Sequence, residues 1–521
     1  MHRFRLLGLF SLFVTMIGAC QADIDGPTPL AWRWASGDVL PSGKPVVHDG
    51  VIYLAVGARV FALHGDTGNQ LWKYPTTESV EGFFRYSPVI SGDTLVESTL
   101  RFAYGIDLKT GKEKWRYRLT DPEMNFAVQP VGTPSCVVFQ MSGEYLFALN
   151  SKDGKPTWLE PVHVFDHLKG DMATLEENVY YFTETNEMWV VDTRNPSKAK
   201  KLQTFDNLSS SATPVVYGDV VYVNSSSYVT AINAFSGTMK WERNTEQDLV
   251  YGPAVSPLGI ASVSRDGILS VMELTGQMKS MKSSITGHMT SMQMDLQSGP
   301  AASPTAAGNF FVIPTIDGSI VMIDAKTGAL IWRYIIPPMT ELEPQKVLQN
   351  TVHPPVDRTG ANVAAAGPAI SFGNTLLLLC SDASLLCFDK ATGVDMTGPE
   401  ISMVYPNEGA EVNGENLAVA FVIHDTGTGV DPRSVSVFLN GKPVDNQYVP
   451  TGLDVAQFDR NEPKNKNLDE GRMEFEVKAK DWLGNSSDKK FSLLINNLLL
   501  PLAAPKVAPE GGKGAGRFPP P

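Results

Sequence analysis

Three groups of side chains in this 521-residue chain have types and spacings that could do chemistry. Asp425, Asp431 and Asp481 stand beside glycines in two turn-like runs, Asp425-Thr426-Gly427-Thr428-Gly429-Val430-Asp431 and Asp481-Trp482-Leu483-Gly484-Asn485. Carboxylates gathered in this way could share Ca²⁺, a hard cation that takes oxygen ligands. Asp beside Gly also closes turns through its own side chain with no ion at all. A second group is His288, Met289, Met292 and Met294, preceded by Met272, Met278 and Met281. Thioethers suit Cu(I), and they equally fill irregular gaps in a core. The third group is the thiols Cys136, Cys380 and Cys387. Cys380 and Cys387 flank a hairpin turn at Ser381-Asp382-Ala383-Ser384. A register with Cys380 facing Leu385 sets the two diagonally, which favours buried thiols over a disulfide. Nucleophilic hydrolysis finds no support: the chain has no Gly-x-Ser-x-Gly elbow and no His-Glu-x-x-His helix. Lone histidines such as His64 and His163 read as loop or surface residues.

The elements that must position these groups come from an internal repeat. A Gly-containing turn followed by Trp recurs as Gly68 to Trp72, Gly111 to Trp115, Gly154 to Trp158, Gly237 to Trp241 and Gly328 to Trp332. Trp72, Trp115 and Trp158 are spaced 43 and 43 positions apart. Three further copies are degraded. The fourth keeps Trp189-Val190-Val191-Asp192 but lacks the turn, the sixth has Leu274-Thr275-Gly276 with Met281 in place of Trp, and the eighth stops after Thr392-Gly393. Alternating residues such as Val51, Tyr53 and Ala55 predict half-buried strands. Small four-stranded units repeated about every 40 residues cannot bury their faces alone, so they stack into a ring. The sequence predicts an all-β protein with an eight-bladed β-propeller over 29–398. Leu30-Ala31-Trp32-Arg33-Trp34 is a Trp-bearing strand with no partner before it. Trp32 and Trp34 are therefore expected to close the ring on the last copy and remove two open sheet edges.

Both ends of the chain differ from the ring. Arg3 and Arg5 precede an apolar stretch from Leu6 to Ile17, too short to span a bilayer and read as a signal peptide over 1–19. It ends Ile17-Gly18-Ala19-Cys20, which looks like a bacterial lipobox. A thiolate is the group that can be alkylated there, so Cys20 is the expected lipidation site, followed by a linker over 20–28. Cleavage after Ala22 is the alternative. Residues 399–497 show short alternating strands of β-sandwich size and pattern, and 498–521 form a Pro/Gly-rich tail expected to be disordered. The long connection between the seventh and eighth copies, with Met339, His353 and Arg358, is a candidate partner loop. A net charge of −13 argues against nucleic acid and against a basic membrane patch.

The repeats resemble the pyrroloquinoline-quinone-type propeller family over roughly 30–396, and 399–496 resemble bacterial Ig-like surface modules. The propeller resemblance implies one of two functional groups. One is the quinone-dependent dehydrogenases, which stack the quinone between a Trp and an adjacent Cys-Cys pair and hold Ca²⁺ with Glu and Asn. The other is non-catalytic lipoproteins like the B subunit of the barrel-assembly machinery, which lack the Ig-like module. No neighbouring Cys pair exists in this chain, so the reading is a cofactor-free scaffold that binds envelope proteins and is held by a lipid anchor. Its expected place is the periplasmic side of the outer membrane. The alternatives are a quinone dehydrogenase with a divergent site, using the quinone and calcium, and a carbohydrate or cell-surface binder.

Overall fold

A computed structural model describes residues 24–37, 41–142, 144–164, 166–279, 293–337, 363–415, 417–449, 454–459 and 469–500. Among these the regular structure is strand, apart from two single 3₁₀ turns at Pro196–Lys198 and Pro432–Ser434. No helix of the described residues is long and apolar enough to cross a membrane.

Eight four-stranded sheets follow one another over 41–74, 89–118, 131–163, 168–204, 215–244, 254–295, 305–335 and 370–389. In the eighth, the chain from 370 to 389 supplies three strands, and Leu30–Ala35 supplies the fourth. That strand runs antiparallel to Ser384–Asp389, with Trp32 opposite Cys387 and Trp34 opposite Leu385. The inner strands of neighbouring sheets touch from the second sheet round to the eighth, and the eighth touches the first. First and second are tied by Ser42 Oγ to the Phe84 carbonyl and by Lys44 N–H to Ser87 Oγ. The result is the closed propeller that the repeats call for.

The middle strands are buried on both faces, which corrects the half-buried expectation. Tyr53 and Ala55 pack towards the second sheet, while Ile52, Leu54 and Val56 pack towards the eighth. Each sheet lies between two others, so its central strands become continuous apolar runs such as Leu376-Leu377-Leu378-Leu379. The outermost strands meet water most fully, as the mostly exposed Met239–Asn244 shows. The hairpin register is also corrected: Leu379, not Cys380, faces Leu385, and Cys380 N–H donates to the Ser384 carbonyl. Both thiols are buried and unbridged.

The closing strand is fastened by charge as well as by its ladder. Arg33 reaches Asp382 at 2.8 Å and Ser384 at 2.9 Å. Arg333 of the seventh sheet makes the same pair of contacts, with Asp317 at 2.8 Å and Ser319 at 3.1 Å. Arg33 also donates to the Pro337 carbonyl at 2.5 Å, tying the last two sheets together.

Beyond the ring, two more sheets share one apolar core. One orders Glu400–Tyr405, Ala418–His424, Asp454–Asp459 and Gln447–Val449. The other orders Glu411–Val412, Ser486–Ile495, Gly471–Lys480, Ser436–Leu439 and Lys442–Val444. Phe421, Phe475 and Phe491 cluster at the centre, with ring centroids 5.4–5.8 Å apart.

Candidate functional site

One contact is repeated around the ring, and it explains both the turn glycine and the tryptophan. An Asp at the start of the turn accepts from the Thr three residues on: Asp107 takes N–H and Oγ1 of Thr110, and Asp324 those of Thr327. The chain then enters positive φ at glycine, +67° at Gly111, where a side chain is disfavoured. A Cβ on Gly111 would lie 2.6 Å from the Trp72 ring of the preceding sheet. The same holds for Gly68 under Trp32, Gly154 under Trp115 and Gly276 under Trp241. Each indole N–H has a target on the next sheet: Trp72 to the Leu108 carbonyl at 3.0 Å, Trp115 to Ser151 at 2.8 Å, Trp158 to Thr193 at 2.9 Å and Trp241 to Leu274 at 2.9 Å. Only Trp32, among these, leaves its buried N–H without an acceptor.

Where a tryptophan is missing, other groups take over. Leu202 of the fourth sheet packs on Gly237, and Tyr180 Oη donates to the Ala234 carbonyl at 3.1 Å. Lys279 of the sixth reaches the Ala325 carbonyl at 3.0 Å, beside the turn of Gly328. Trp189 lies on the third strand of its sheet and donates to Glu187 of that same sheet.

At the seventh sheet the contact leaves the ring. Trp332, wholly buried, donates to the carbonyl of Thr428 at 2.8 Å. Thr428 belongs to the C-terminal unit, and Trp482 of that unit enters the apolar core of the last three sheets. The Leu30 N–H donates to the Gly427 carbonyl at 3.0 Å. The turn of the eighth sheet meets Pro29 instead, 2.9 Å from the place of a Cβ on Gly393.

This junction holds a carboxylate cluster that differs from the expected one. Asp395, Asp425 and Asp481 bring ligand oxygens within 4.8 Å of one another. Asp431 is absent from it: its carboxylate caps the 3₁₀ turn and pairs with Arg433 at 2.8 Å. Each member already has backbone donors. Asp425 accepts from the N–H groups of Gly427 and Gly429, Asp395 from Thr428, and Asp481 from Leu483 and Asn485. Burial pushes Asp425 up to about 6, and the nearby Asp395 and Asp481 charges add to this, against the pull of the two glycine N–H groups. Sequence reasoning missed Asp395, because it follows the last repeat in a stretch with no motif of its own.

The inner strands of all eight sheets line a central cavity of about 720 Å³. Lys44, Arg85 and Asp171 give it charge, with Tyr86 and Gln129. No sequence signal linked these residues, because Lys44, Arg85, Gln129 and Asp171 come from four different repeats. Burial raises Asp171, offset by Lys44. Glu97, on the second strand of the second sheet, is raised well above the usual range by complete burial. The N–H groups of Ser98 and Tyr86 face it, yet neither carboxylate oxygen has a hydrogen bond of proper geometry. A quinone with calcium would need a stacking tryptophan, a cysteine pair and several oxygen ligands. Among the described residues the lining holds one carboxylate and no tryptophan, and Cys136, Cys380 and Cys387 are unbridged and outside it. These residues do not fit a quinone stacked on a cysteine pair. A second hollow, of about 910 Å³, lies between the third and fourth sheets, under Trp158, Leu159, Pro161 and Trp189. Cys20, Met339, His353, Arg358, Met281, His288, Met289 and Met292 lie outside the described residues. Met272 and Met294 are buried core residues.

A family described as "Outer membrane protein assembly factor BamB" matches residues 24–243 and 188–407. The crystal structure of BamB from Moraxella catarrhalis is similar in fold, with a TM-score of 0.51 at 14% identity, over 69% of this chain and 99% of that one. Among curated proteins, the 1-butanol dehydrogenase (quinone) of Thauera butanivorans is 28% identical over 162 residues, and the quinoprotein ethanol dehydrogenase of Pseudomonas putida is 26% identical over 161. Each of these two matches covers 25% of this chain and 25% of the relative's own length.

Proposed function

Because the chain belongs to the family of outer-membrane protein assembly factor BamB, we propose that it is a non-catalytic, lipid-anchored protein of the cell envelope that acts as a rigid scaffold for other envelope proteins. Cys20 carries the anchor in this reading, and the outer membrane's periplasmic side is its place. The eight sheets are the blades of the propeller. The C-terminal unit is an Ig-like sandwich: strands one, three, seven and six of that unit form one sheet, and strands two, nine, eight, four and five, in that order, form the other. The observation that carries the reading is that the family matches the whole ring, 24–407. The Trp332–Thr428 contact supports a scaffold, because it mounts the sandwich with the same joint that holds the blades together. Fold alone does not license oxidation of alcohols, and the cavity lining does not fit the cofactor pair.

In-envelope crosslinking of the full chain, followed by identification of attached proteins, tests the scaffold role. Defined envelope partners are expected, and their absence would reject it. The short matches to two quinone dehydrogenases motivate one further measurement. Dye-linked alcohol oxidation after adding quinone and Ca²⁺ is expected to stay at background. Turnover that depends on both additions would replace the scaffold with an enzyme.

A further inference from the structure

We propose that Val394, Met396 and Leu483 form the face that this protein lays against a phospholipid bilayer. The inference rests on the lipid-anchored reading given above.

The linker leaving the last blade alternates. Asp395 turns inward, where its Oδ2 accepts from the N–H of Thr428 at 2.8 Å and from its Oγ1 at 2.6 Å. Its neighbours on either side turn outward. Val394 is 76% exposed and Met396 82%. Leu483, also exposed, stands on the turn whose Asn485 donates to the Asp395 carbonyl at 3.2 Å. Three apolar side chains thus surround one short segment, exposed with respect to all the described residues.

The N-terminal segment says what covers them. Ile24 is buried in the core of the last three blades. Asp25 then pairs with Lys390, and Gly393 abuts Pro29. The chain therefore enters the fold along the same linker that presents Val394. Cys20 precedes Ile24 by four positions, a reach of at most about 14 Å for extended chain. An acylated Cys20 cannot hold the membrane far from this patch. The chain is acidic overall, at −13, so charge attraction does not hold this face on lipid. Contact must then come from acyl chains and apolar burial, so it should not weaken with salt. The geometry has a consequence for partners: blades three and four stand across the ring from blades seven and eight, so the hollow beside Leu159 faces away from the bilayer.

The test uses the full acylated chain on phosphatidylethanolamine/phosphatidylglycerol vesicles. Single cysteines at V394C, M396C and L483C, and at the fully exposed L159C as reference, carry an environment-sensitive dye. Burial raises the three native thiols Cys136, Cys380 and Cys387, which keeps labelling selective. Doxyl lipids are expected to quench the dye at 394 and 396 at least threefold more than at 159, in low and high salt alike. Equal quenching at 394 and 159 on vesicle-bound protein overturns the proposed face while leaving the anchor intact. Mass spectrometry of Cys20 reports the anchor separately: an unacylated Cys20 would overturn the anchor and this face together. A blue shift at 394 without vesicles that grows with protein concentration would assign the patch to a second copy and overturn the assignment to lipid.

Discussion

The joint from the first sheet to the second and the joint leaving the seventh use the same chemistry for different ends. In the first, Trp72 covers Gly111 and donates to Leu108 one sheet on. In the second, Trp332 makes that donation to Thr428, which belongs to the C-terminal unit. A contact that elsewhere spaces one sheet from the next here fixes a separate core to the ring. The fourth-to-fifth joint varies in the opposite sense: it drops the tryptophan, and Leu202 and Tyr180 cover the turn. At these three joints the acceptor is a backbone carbonyl each time, and the donor is replaceable.

Breaking the seventh joint should have the largest effect. Trp332→Ala removes a wholly buried indole whose ring lies edge-on to Phe388 at 5.2 Å. Truncation of a buried Trp costs about 3–5 kcal/mol. Thermal unfolding is expected to separate into two transitions, with new protease cleavage near 393–399. A single transition shifted as a whole would mean that the C-terminal unit is held by other contacts. Trp72→Ala, by contrast, should lower one transition without separating the units.

The repeat was legible because its parts are side chains at fixed offsets: Asp107 with Thr110, then Gly111, then Trp115. The ring closure was legible for the same reason, since Trp32 and Trp34 imply a strand with no partner before it. The joint to the C-terminal unit was not, because its acceptor is the backbone carbonyl of Thr428 and any residue supplies one. The central cavity was hidden too: Lys44, Arg85 and Asp171 meet only because three inner strands converge. Asp431 misled because its Asp-Gly spacing looks the same whether the carboxylate faces a cation or caps a turn with Arg433.

Glycine substitutions sharpen the comparison at a smaller scale. Gly111→Ala must hold a side chain at φ +67° and push against Trp72 from 2.6 Å. Gly92→Ala meets only the backbone cost, because nothing lies within 4 Å of its Cβ position at φ +60°. The left-handed region costs about 1–2 kcal/mol for a non-glycine residue. Gly92→Ala should show that loss alone in denaturant unfolding, and Gly111→Ala roughly twice as much. Equal losses would mean that the indole shifts freely and is not the clamp inferred here.

Asp425 gives the joint a pH dependence. Its folded value is raised to about 6 from 3.8, so the native state holds the proton more tightly than the unfolded chain. Stability from this group is therefore fully present below pH 3.8 and is lost as pH rises through about 6. The full shift would correspond to about 3 kcal/mol. Partial exposure and screening reduce this to on the order of 1–2 kcal/mol. Asp425→Asn should flatten the stability profile between pH 4 and 7 and raise the melting temperature at pH 7.5. A profile unchanged by the substitution would show that Asp425 stays ionised at the joint.

The smallest effect is expected one residue from a large one. Trp158 is buried and donates to Thr193, whereas Leu159 is fully exposed at the rim of the hollow between the third and fourth sheets. Trp158→Ala should approach the cost of Trp332→Ala without freeing any separate unit. Leu159→Ser touches no buried contact, and surface changes of that kind usually stay within about 0.5 kcal/mol. Unfolding in urea compares the two directly. If Leu159→Ser costs more than about 1 kcal/mol, the rim is part of the ring's packing, and the contrast between a filled joint and an open hollow fails at this place.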